Sequence, residues 1–453
     1  MSLWTAAEIA AATGGTASAP FDATGVAYDS REVGPGDLFV ALQGEETDGH
    51  RFVGQAFAQG ASGVLVTTPV DGPHVLVPDT AVALDALAAA ARARTGAKIV
   101  GVTGSVGKTS VKEALYAAFD RMAPGAAHRS LKSYNNHVGV PLSLARMPRE
   151  TRFGVFEMGM NHAGELAALT RLVRPRVALV TTVALAHGAF FADEAAIADA
   201  KGEIFAGLEP GGTAIVPYDS PHRDRLIAAA EPFAGEIVTF GRDPGADVHA
   251  REGLAGPRGT FVQATLRHAE LGLTVGPPGE HWVTNALGVL AAVEAAGGDL
   301  AAAGLALAEM PGLAGRGVRL TLRLPAGDAL LIDESYNANP ASMRATLAML
   351  GQERGRRIAI LGGMRELGAD EARHHAELAQ PIADAGVGFA LLVGSEMAPL
   401  AEALAGRIEF AHVPDADAAV VRARALIAPG DAVLVKGSNG VRLGRVVDAL
   451  AGG

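Results

Sequence analysis

Short apolar runs alternate with helical patterns along most of this chain, and this alternation restricts its fold more than any other feature. One series of apolar runs covers residues 98–102, 154–157, 177–181 and 213–216, and a second covers residues 330–333, 357–362, 389–394 and 432–437. Strands that alternate with helices at this spacing are typical of a parallel sheet with helices on both faces. The sequence therefore predicts the α/β fold class.

The apolar runs fall into three segments, which predict three domains. Residues 1–97 carry short strand-like runs and an alanine-rich helix from 82 to 97, so we predict a small N-terminal α/β domain there. Residues 98–312 predict a central P-loop-type parallel sheet flanked by helices, and residues 313–453 predict a C-terminal Rossmann-like α/β domain. The stretch 311–317 is rich in glycine and proline, and we expect a hinge there.

Composition excludes several classes of partner and site. The formal net charge of −11 at pH 7 disfavours nucleic acid as a partner, because phosphate backbones need a basic surface. The chain has no cysteine, which excludes disulfides, thiolate metal sites and a cysteine nucleophile. No long apolar run is free of charges and the first residues do not resemble a signal peptide, so we expect no membrane span. A cytoplasmic monomer is the expectation.

The stretch 102–110 reads VTGSVGKTS and predicts a phosphate-binding loop, although Val102 breaks the strict G-x-x-x-x-G-K-[ST] pattern. A strand precedes it, and a helical pattern runs from Lys108 to Asp120, which is the context that such a loop needs. Backbone N–H groups at the start of that helix can surround phosphate oxygens. Lys108 can reach the β- and γ-phosphates, and the Thr109 hydroxyl can bind Mg²⁺. The predicted ATP-binding residues of the loop are Gly104, Ser105, Val106, Gly107, Lys108, Thr109 and Ser110. The alternative is a plain glycine turn that caps a helix.

The variant loop TGxxGK[ST] is the shortened form found in Mur ligases and folylpolyglutamate synthetases, and this chain resembles the Mur ligase family over nearly its whole length. The resembling segments include YDSREVGPGDLFVALQG, YNNHVGVPLSLARMP, FEMGMNHAGELAAL, GEHWVTNALG and LVKGSNGVRLG. The run DESYNANP at 333–340 is the most selective of them, and it is similar to the branch that adds D-Ala-D-Ala. The DY-A-H-x-P and D-N-P-R runs of the amino-acid-adding branches are absent.

This resemblance implies an ATP-dependent ligase of peptidoglycan precursor synthesis. Its substrates would be UDP-N-acetylmuramoyl-tripeptide and D-Ala-D-Ala, joined through an acyl phosphate with release of ADP and phosphate. Phosphorylating a carboxylate brings anions together, so cations must neutralise them. The resemblance accordingly implies ATP and Mg²⁺ as cofactors, with two metal ions. A different ligase of the same fold and a non-catalytic ATP-binding protein are the alternatives.

The resemblance also implies roles for residues beyond the phosphate loop. Glu157, after an apolar run, would bind Mg²⁺ with Thr109, and His187 would help to hold a second Mg²⁺. Lys201, on an amphipathic helical pattern, matches a lysine that is carbamylated in relatives; a solvated helix lysine is the alternative. The expected catalytic residues are Lys108, Lys201, His187 and Asn136.

Further positions match the family's substrate-binding segments. The residues expected around ATP are His281 and Asn285 at the adenine and ribose, Arg316 at the phosphates, and Asp333, Tyr336 and Asn337 as the site closes. The residues expected around the other substrates are Ser30, Arg31, Asp48, Gly49 and His50 for the uridine diphosphate, Asn135 and Asn161 near the acyl end, and Lys436 near the dipeptide or the acyl phosphate. Simple turns and helix starts are the alternatives for several of these positions.

Three short runs depart from the family pattern. The glutamate of an AHLE run is missing after His187, Gly363 replaces the aspartate of LGDMxELG, and the N-x-D run reads Pro217-Tyr218-Asp219. These departures leave the phosphate loop and the expected metal ligands in place.

Overall fold

The structure is a computed structural model that describes residues 2–44, 47–184, 191, 193–250, 253–256, 259–276, 280–310, 312 and 314–452. Its strands form three large sheets and one small two-stranded sheet, and each large sheet draws its strands from one segment of the chain. None of the described strands pairs across the predicted boundaries at 97 and 312. The α/β fold class predicted from the sequence is confirmed.

The N-terminal unit is a five-stranded sheet covered by helices. Its elements are β1 (Trp4–Thr5), α1 (Ala6–Thr13), β2 (Thr16–Ala17), β3 (Asp22–Ala23), β4 (Gly25–Ala27), β5 (Asp37–Val40), α2 (Val53–Ala58), β6 (Gly63–Val66), β7 (His74–Leu76) and α3 (Thr80–Ala93). The order β2-β7-β6-β5-β4 is parallel except for the β2–β7 pair. The predicted alanine-rich helix is α3, which begins earlier than expected because the Asp79 carboxylate accepts from the backbone N–H groups of Ala81 and Val82.

The central unit contains the phosphate loop. Its strands are β8 (Lys98–Thr103), β9 (Ala127–Arg129), β10 (Phe153–Glu157), β11 (Val177–Val180), β12 (Thr213–Pro217), β13 (Glu236–Gly241), β14 (Val248–Ala250), β15 (Leu254–Gly256), β16 (Gly259–Thr265) and β17 (Glu270–Val275). Its helices are α4 (Lys108–Met122), α5 (Gly139–Ala145), α6 (Glu165–Val173), α7 (Glu194–Gly202), α8 (Arg223–Ala230), α9 (Glu280–Ala295) and α10 (Leu300–Glu309). Apolar clusters lie on both faces of the sheet, which explains the continuous apolar runs of its strands.

The position of β8 places the functional loops together. The parallel strands follow the order β9-β10-β8-β11-β12-β13-β14. After β8 the chain first forms β9 and β10 on one side of β8, and it then crosses to form β11 on the other side. Such a reversal of strand order opens a crevice at the carboxyl ends of the strands. The segments that follow β8, β10 and β11 therefore meet at one edge of the sheet.

The C-terminal unit is a six-stranded sheet with helices on both faces. Its elements are β18 (Val318–Leu324), β19 (Gly327–Glu334), α11 (Pro340–Leu350), β20 (Arg357–Gly362), α12 (Glu371–Ala376), α13 (Ala379–Asp384), β21 (Phe389–Val393), α14 (Ala398–Leu404), β22 (Phe410–Val413), α15 (Ala416–Leu426), β23 (Ala432–Lys436) and α16 (Gly444–Ala451). In the order β18-β19-β23-β20-β21-β22, only β18 runs antiparallel to its neighbour.

Buried polar contacts fix the N-terminal unit to the central unit. The Arg92 guanidinium, 3% exposed, donates to the carbonyl of Val173 at 2.9 Å and pairs with Glu209 at 2.6 Å. The Trp4 indole N–H donates to the Ala145 carbonyl at 2.8 Å. Because these buried donors have their partners in the other unit, they stabilise the contact between the first two units. None of the helices within the described ranges has the length and apolar character needed to cross a membrane.

Candidate active site

A cavity of about 600 Å³ lies between the central and C-terminal units. The central unit contributes the phosphate loop from Ser105 to Ser110, together with Asn135, Glu157, Asn161, His281 and Asn285. The C-terminal unit contributes Arg316, Glu334, Tyr336, Asn337, Arg365, Glu366, Lys436 and Asn439. A volume of this size falls in the range of ligand pockets. The phosphate loop therefore forms one wall of a cavity that a second unit completes.

Two glycines shape the phosphate loop. Gly104 has a φ of +151°, and a Cβ atom there would lie 1.9 Å from Thr181 Oγ1. The Thr181 hydroxyl in turn donates to the Val106 carbonyl at 2.6 Å, which holds the loop against the end of β11. Gly107 has a φ of +88° and immediately precedes α4, and a Cβ atom there would lie 2.9 Å from Asn285 Oδ1. Only glycine combines these backbone angles with such close neighbours.

Lys108 lies in the first turn of α4 and lines the cavity. Its ammonium group donates to the Gly104 carbonyl at 2.6 Å, so the side chain folds back over the loop. Burial lowers the pKa of Lys108, the Glu157 carboxylate opposes that shift, and the Arg316 guanidinium adds to it. A cation held in this way over the loop is placed to meet phosphate oxygens.

A hydroxyl and a carboxylate stand side by side next to the loop. Thr109 Oγ1 donates to Glu157 Oε2 at 2.8 Å, and Asn135 Nδ2 donates to Glu157 Oε1 at 2.8 Å. Glu157 is 1% exposed and ends β10, as the sequence predicted from its place after an apolar run. In the described ranges no three His, Asp or Glu side chains converge into a metal-binding group. One carboxylate and one hydroxyl beside a phosphate loop nonetheless fit Mg²⁺, which binds few protein oxygens and completes its shell with phosphates and water.

Lys201 is buried in the last turn of α7, with 2% of its surface exposed. Burial lowers its pKa far below the ordinary value, and the nearby charge of Lys108 lowers it further. Its ammonium group makes no hydrogen bond or ion pair with any residue that the structure describes. His187, the predicted ligand of a second Mg²⁺, lies outside the described residues.

Asn135 and Asn136, the neighbouring asparagines predicted to act in the site, have different surroundings. Asn135 lines the cavity, and its carbonyl accepts from the Gly159 N–H at 2.7 Å. Asn136 does not line the cavity; its side-chain oxygen accepts from the N–H groups of Val138 and Gly139 at the start of α5. This asparagine satisfies backbone donors, which is the turn role that the sequence left open. Asn161 lines the cavity as expected.

Three of the predicted nucleotide contacts line the cavity from the C-terminal unit, and one does not. The Arg316 guanidinium stacks 4.2 Å from the centre of the Tyr336 ring, and Asn337 lies beside them. Asp333 is absent from the lining, because its carboxylate accepts from the Gly315 N–H at 2.7 Å and from a neighbouring serine hydroxyl. Asp333 therefore shapes the segment that carries Arg316 instead of facing the cavity.

Two further basic residues face each other across the cavity. His281 lies in the first turn of α9, and burial lowers its pKa. Lys436 ends β23 with 2% of its surface exposed, and its ammonium group donates to the Asn337 carbonyl at 2.9 Å. Glu334 Oε2 lies 3.4 Å from the Lys436 nitrogen, although burial still lowers the pKa of this lysine. Asn285, one turn after His281, packs over Gly107.

The residues predicted to bind the uridine diphosphate lie in the N-terminal unit and do not line this cavity: Ser30, Arg31, Asp48, Gly49 and His50. The Arg31 side chain is 82% exposed and pairs with Asp29. His50 Nδ1 lies 2.7 Å from Asp48 Oδ1, while its Nε2 accepts from the Thr67 N–H at 2.9 Å. The histidine thus joins two loops, and the arginine stays open to solvent.

Sequence reasoning missed several residues that line the cavity. Glu334 is the second residue of the selective DESYNANP run, and the Arg365–Glu366 pair lies within the LGGMRELG run at the end of β20. Both runs lie at the carboxyl ends of strands, which is a signal that could have identified them. Asn439 follows β23 in the same way.

Three domain families match consecutive parts of the chain. They are "Mur ligase family, catalytic domain" over residues 22–102, "Mur ligase middle domain" over residues 102–293 and "Mur ligase, glutamate ligase domain" over residues 319–439. The chain is 36% identical to the UDP-N-acetylmuramoyl-tripeptide–D-alanyl-D-alanine ligase of Escherichia coli K12, with 94% of this chain and 93% of that protein covered.

Solved structures agree with these matches. A crystal structure of MurF from Acinetobacter baumannii superposes with a TM-score of 0.87 and 30% identity, and covers 99% of both chains. The MurF ligase of Thermotoga maritima in complex with ADP superposes with a TM-score of 0.77 and 25% identity, over 94% of this chain and 97% of that one. The resemblance found in the sequence motifs is confirmed: the chain belongs to the Mur ligase family.

Proposed function

We propose that this chain is the ATP-dependent ligase that adds D-Ala-D-Ala to UDP-N-acetylmuramoyl-tripeptide in peptidoglycan precursor synthesis. The observation that carries this proposal is the cavity in which a phosphate loop, the Thr109–Glu157 pair and cations from two units face one another. The full-length relatives named for this reaction support the choice of substrates.

The reaction that this site supports has two steps. A carboxylate oxygen of the tripeptide forms a bond to the γ-phosphorus of ATP while the bond from that phosphorus to the bridging oxygen breaks, which releases ADP. The amine of D-Ala-D-Ala then attacks the carbonyl carbon of the acyl phosphate. The new C–N bond forms, the C–O bond to phosphate breaks, and the amine loses a proton.

The basic residues of the cavity supply charge where both steps need it. Lys108 lies over the loop from the central unit, while Arg316 and Lys436 come from the C-terminal unit. Negative charge accumulates when carboxylate and triphosphate meet, and cations fixed in advance stabilise it. Since these cations come from two units, docking of the C-terminal unit assembles the site.

Mg²⁺ would be held by the Thr109 hydroxyl and the Glu157 carboxylate, which are the adjacent hard oxygen ligands beside the loop. When bound, Mg²⁺ neutralises phosphate charge and makes the γ-phosphorus more electrophilic. The Asn135 amide orients Glu157 by donating to its second oxygen. A second Mg²⁺ at His187 remains a proposal from the family resemblance.

Lys201 is proposed to carry a carbamate. Addition of CO₂ requires the neutral amine, and burial beside Lys108 favours that form by lowering the pKa of Lys201. The amine nitrogen bonds to the carbon of CO₂ and releases one proton, which leaves an anion near the Lys108 ammonium. We expect ¹³C-labelled bicarbonate to give a carbamate signal in ¹³C NMR of the wild type that is missing in Lys201→Ala. Full activity of Lys201→Ala would remove the proposal.

The remaining assignments complete the proposal. The N-terminal unit, with Ser30, Arg31 and the Asp48–His50 turn, would bind the uridine diphosphate, and Asn161 would lie near the acyl end. His281 and Asn285 would contact the adenosine. A monomer in the cytoplasm, where the nucleotide substrates occur, fits this function, and light scattering tests the monomer.

Phosphate release measured with each substrate omitted in turn tests the reaction. We expect release only when ATP, UDP-N-acetylmuramoyl-tripeptide and D-Ala-D-Ala are all present. Release with a single amino acid in place of the dipeptide would instead indicate an amino-acid-adding ligase. Nucleotide binding without release under any combination would indicate a non-catalytic ATP-binding protein.

A further inference from the structure

We propose that Glu32, in the N-terminal unit, is a positioning residue for the Thr109–Glu157 pair that would hold Mg²⁺ in the central unit. This inference rests on the proposed function, because it names a residue that fixes the metal ligands of that reaction. Glu32 ends the short helical turn Ser30–Glu32 and does not line the cavity. It acts through the segment 130–135, which follows β9.

Glu32 holds two side chains of the central unit. The Lys132 ammonium group forms an ion pair with its carboxylate, and the Tyr134 hydroxyl lies 2.9 Å from Oε1 and 3.0 Å from Oε2. The Tyr134 ring also lies against Tyr28 of the N-terminal unit, with 5.8 Å between the ring centres. Lys132 has a φ of +46°, which is rare for a residue other than glycine, so the segment needs such contacts to keep this backbone conformation.

The residue between these two and the residue after them contact the proposed metal ligands. Ser133 Oγ lies 3.4 Å from Thr109 Oγ1, and Asn135 Nδ2 donates to Glu157 Oε1 at 2.8 Å. Side chains along 132–135 therefore alternate between the N-terminal unit and the metal ligands. Because the four residues are consecutive, a shift of the even-numbered side chains moves the odd-numbered ones as well.

The two ends of this arrangement differ in their exposure to water. Glu157 is 1% exposed, whereas the Glu32 and Lys132 side chains are 35% and 66% exposed. An exposed ion pair contributes under about 1 kcal/mol to stability, so the chain should stay folded without Glu32. Leu131 and Val138 also pack against the apolar core of the N-terminal unit, and this contact does not depend on Glu32. The loss of Glu32 should therefore alter the position of the segment more than the fold.

The charge of Glu32 argues against a direct contact with the uridine diphosphate. Glu32 follows Ser30 and Arg31, which are proposed to bind that group, but a carboxylate repels phosphates. Its two oxygens already accept from Tyr134, and Lys132 neutralises its charge. Glu32 is therefore placed to hold the neighbouring unit.

Calorimetry of ADP binding with and without Mg²⁺ tests this assignment. In the wild type Mg²⁺ should lower the Kd for ADP, because the metal neutralises phosphate charge at the loop. In Glu32→Ala and in Tyr134→Phe, the ratio of the Kd values without and with Mg²⁺ should fall by about 10-fold, the lower end for residues that orient metal ligands. The Kd for ADP without metal should stay unchanged. Glu32→Gln keeps an oxygen acceptor for Tyr134 and should lose less.

Arg149→Gln is the matched control. The Arg149–Glu8 ion pair also joins the N-terminal and central units, but Arg149 precedes β10, at the end of that strand away from Glu157. This variant should leave the effect of Mg²⁺ unchanged, and a loss equal to that of Glu32→Ala would overturn the assignment.

Two further outcomes would overturn the assignment. One is an unchanged effect of Mg²⁺ in both Glu32→Ala and Tyr134→Phe, and the other is a change confined to the KM for the UDP-linked tripeptide. If Glu32→Ala unfolds, Tyr134→Phe and Glu32→Gln carry the test. A wild type whose ADP binding does not respond to Mg²⁺ would contradict the metal site of the proposed function, and this inference with it.

Discussion

Single residues decide the shape of the phosphate loop more sharply than its sequence pattern suggests. The valine at the first position of the longer pattern lies inside β8, and the loop obtains its curvature from Gly104 and Gly107 instead. The contact between Thr181 and Val106 then fixes the loop on a neighbouring strand. The close contact between Gly104 and Thr181 therefore determines the position of the backbone N–H groups that face the phosphates.

Gly104→Ala should lower kcat/KM for ATP by about 100-fold, because small displacements of positioning groups carry costs of this order. The added Cβ would meet Thr181 Oγ1 at 1.9 Å and push the loop from its strand. Gly125→Ala, beyond the other end of α4, is the control, since Gly125 also has a positive φ but no atom within 4 Å of an added Cβ. Steady-state kinetics that show equal activity for both variants would contradict this view of the loop.

At the scale of elements, α4 joins the phosphate loop to the loop that carries Asn135. Lys112, fully buried on α4, lies 3.9 Å from Glu157 and 3.0 Å from Glu113, and its ammonium group donates to the Lys132 carbonyl. One cation thus contacts the helix, the end of β10 and the segment before Asn135. The geometry of Glu157 depends on this buried charge as well as on its two direct donors.

Lys112→Met should lower the free energy of unfolding by about 3–5 kcal/mol, because it leaves the buried Glu157 carboxylate without its cation. Urea unfolding followed by circular dichroism measures this loss. Arg225→Gln is the comparison, because its partner Asp199 and Arg225 itself are largely exposed and such pairs contribute under about 1 kcal/mol. Equal losses for the two variants would show that the buried lysine has no special importance.

The contact between β9 and α5 should make stability depend on pH. His128 Nε2 lies 2.8 Å from the Ser143 carbonyl, and burial lowers the pKa of His128 to about 4 from 6.5. Between these values the unfolded chain binds more protons than the folded one, so stability falls as pH falls from 6.5 to 4, by about 3 kcal/mol at most. His128→Gln should flatten this dependence in unfolding measured at several pH values, whereas the exposed His268→Gln should leave it unchanged.

Strands could be predicted from the sequence where burial on both faces makes every residue of the strand apolar. The run 357–362 became β20 with the predicted bounds, because a strand buried on both faces reads as a continuous apolar stretch. The antiparallel strands β15 to β17 were not predicted, because β16 alternates between buried and exposed residues and lacks the continuous apolar run that marks the other strands. The phosphate loop was predictable from local sequence. Asn136 and Asp333 do not line the cavity, and the sequence could not show this, since the same side chains can satisfy backbone donors or bind ligands.

At the scale of the whole molecule, the site depends on contacts between distant parts of the chain. The phosphate loop and Arg365 lie more than 250 residues apart in sequence and line one cavity. No local pattern predicts how two units dock. The family resemblance supplied Arg316, Tyr336 and Lys436 on the wall opposite the loop, whereas Glu334 and Asn439 were found only in the structure. The sequence nonetheless predicted β8 and β20, the two strands whose carboxyl ends lead into the phosphate loop and the loop of Arg365.

An ATP analogue with Mg²⁺ should couple the unfolding of the central and C-terminal units. Because the ligand would contact both walls of the cavity, it should stabilise both units, by about 2.7 kcal/mol at a hundredfold excess over its Kd. Calorimetry should show two transitions that move together toward a single one. A rise in Tm confined to the transition of the central unit would mean that the C-terminal wall does not contact the nucleotide.

The mutual influence of Lys108, Arg316 and Lys436 has a consequence for turnover. Their like charges repel one another, so the triphosphate acts as a counterion that keeps the two walls in contact. Once phosphate departs, less negative charge remains to offset that repulsion, and the walls are driven apart. We therefore expect the departure of phosphate to favour both the opening of the cavity and the release of ADP.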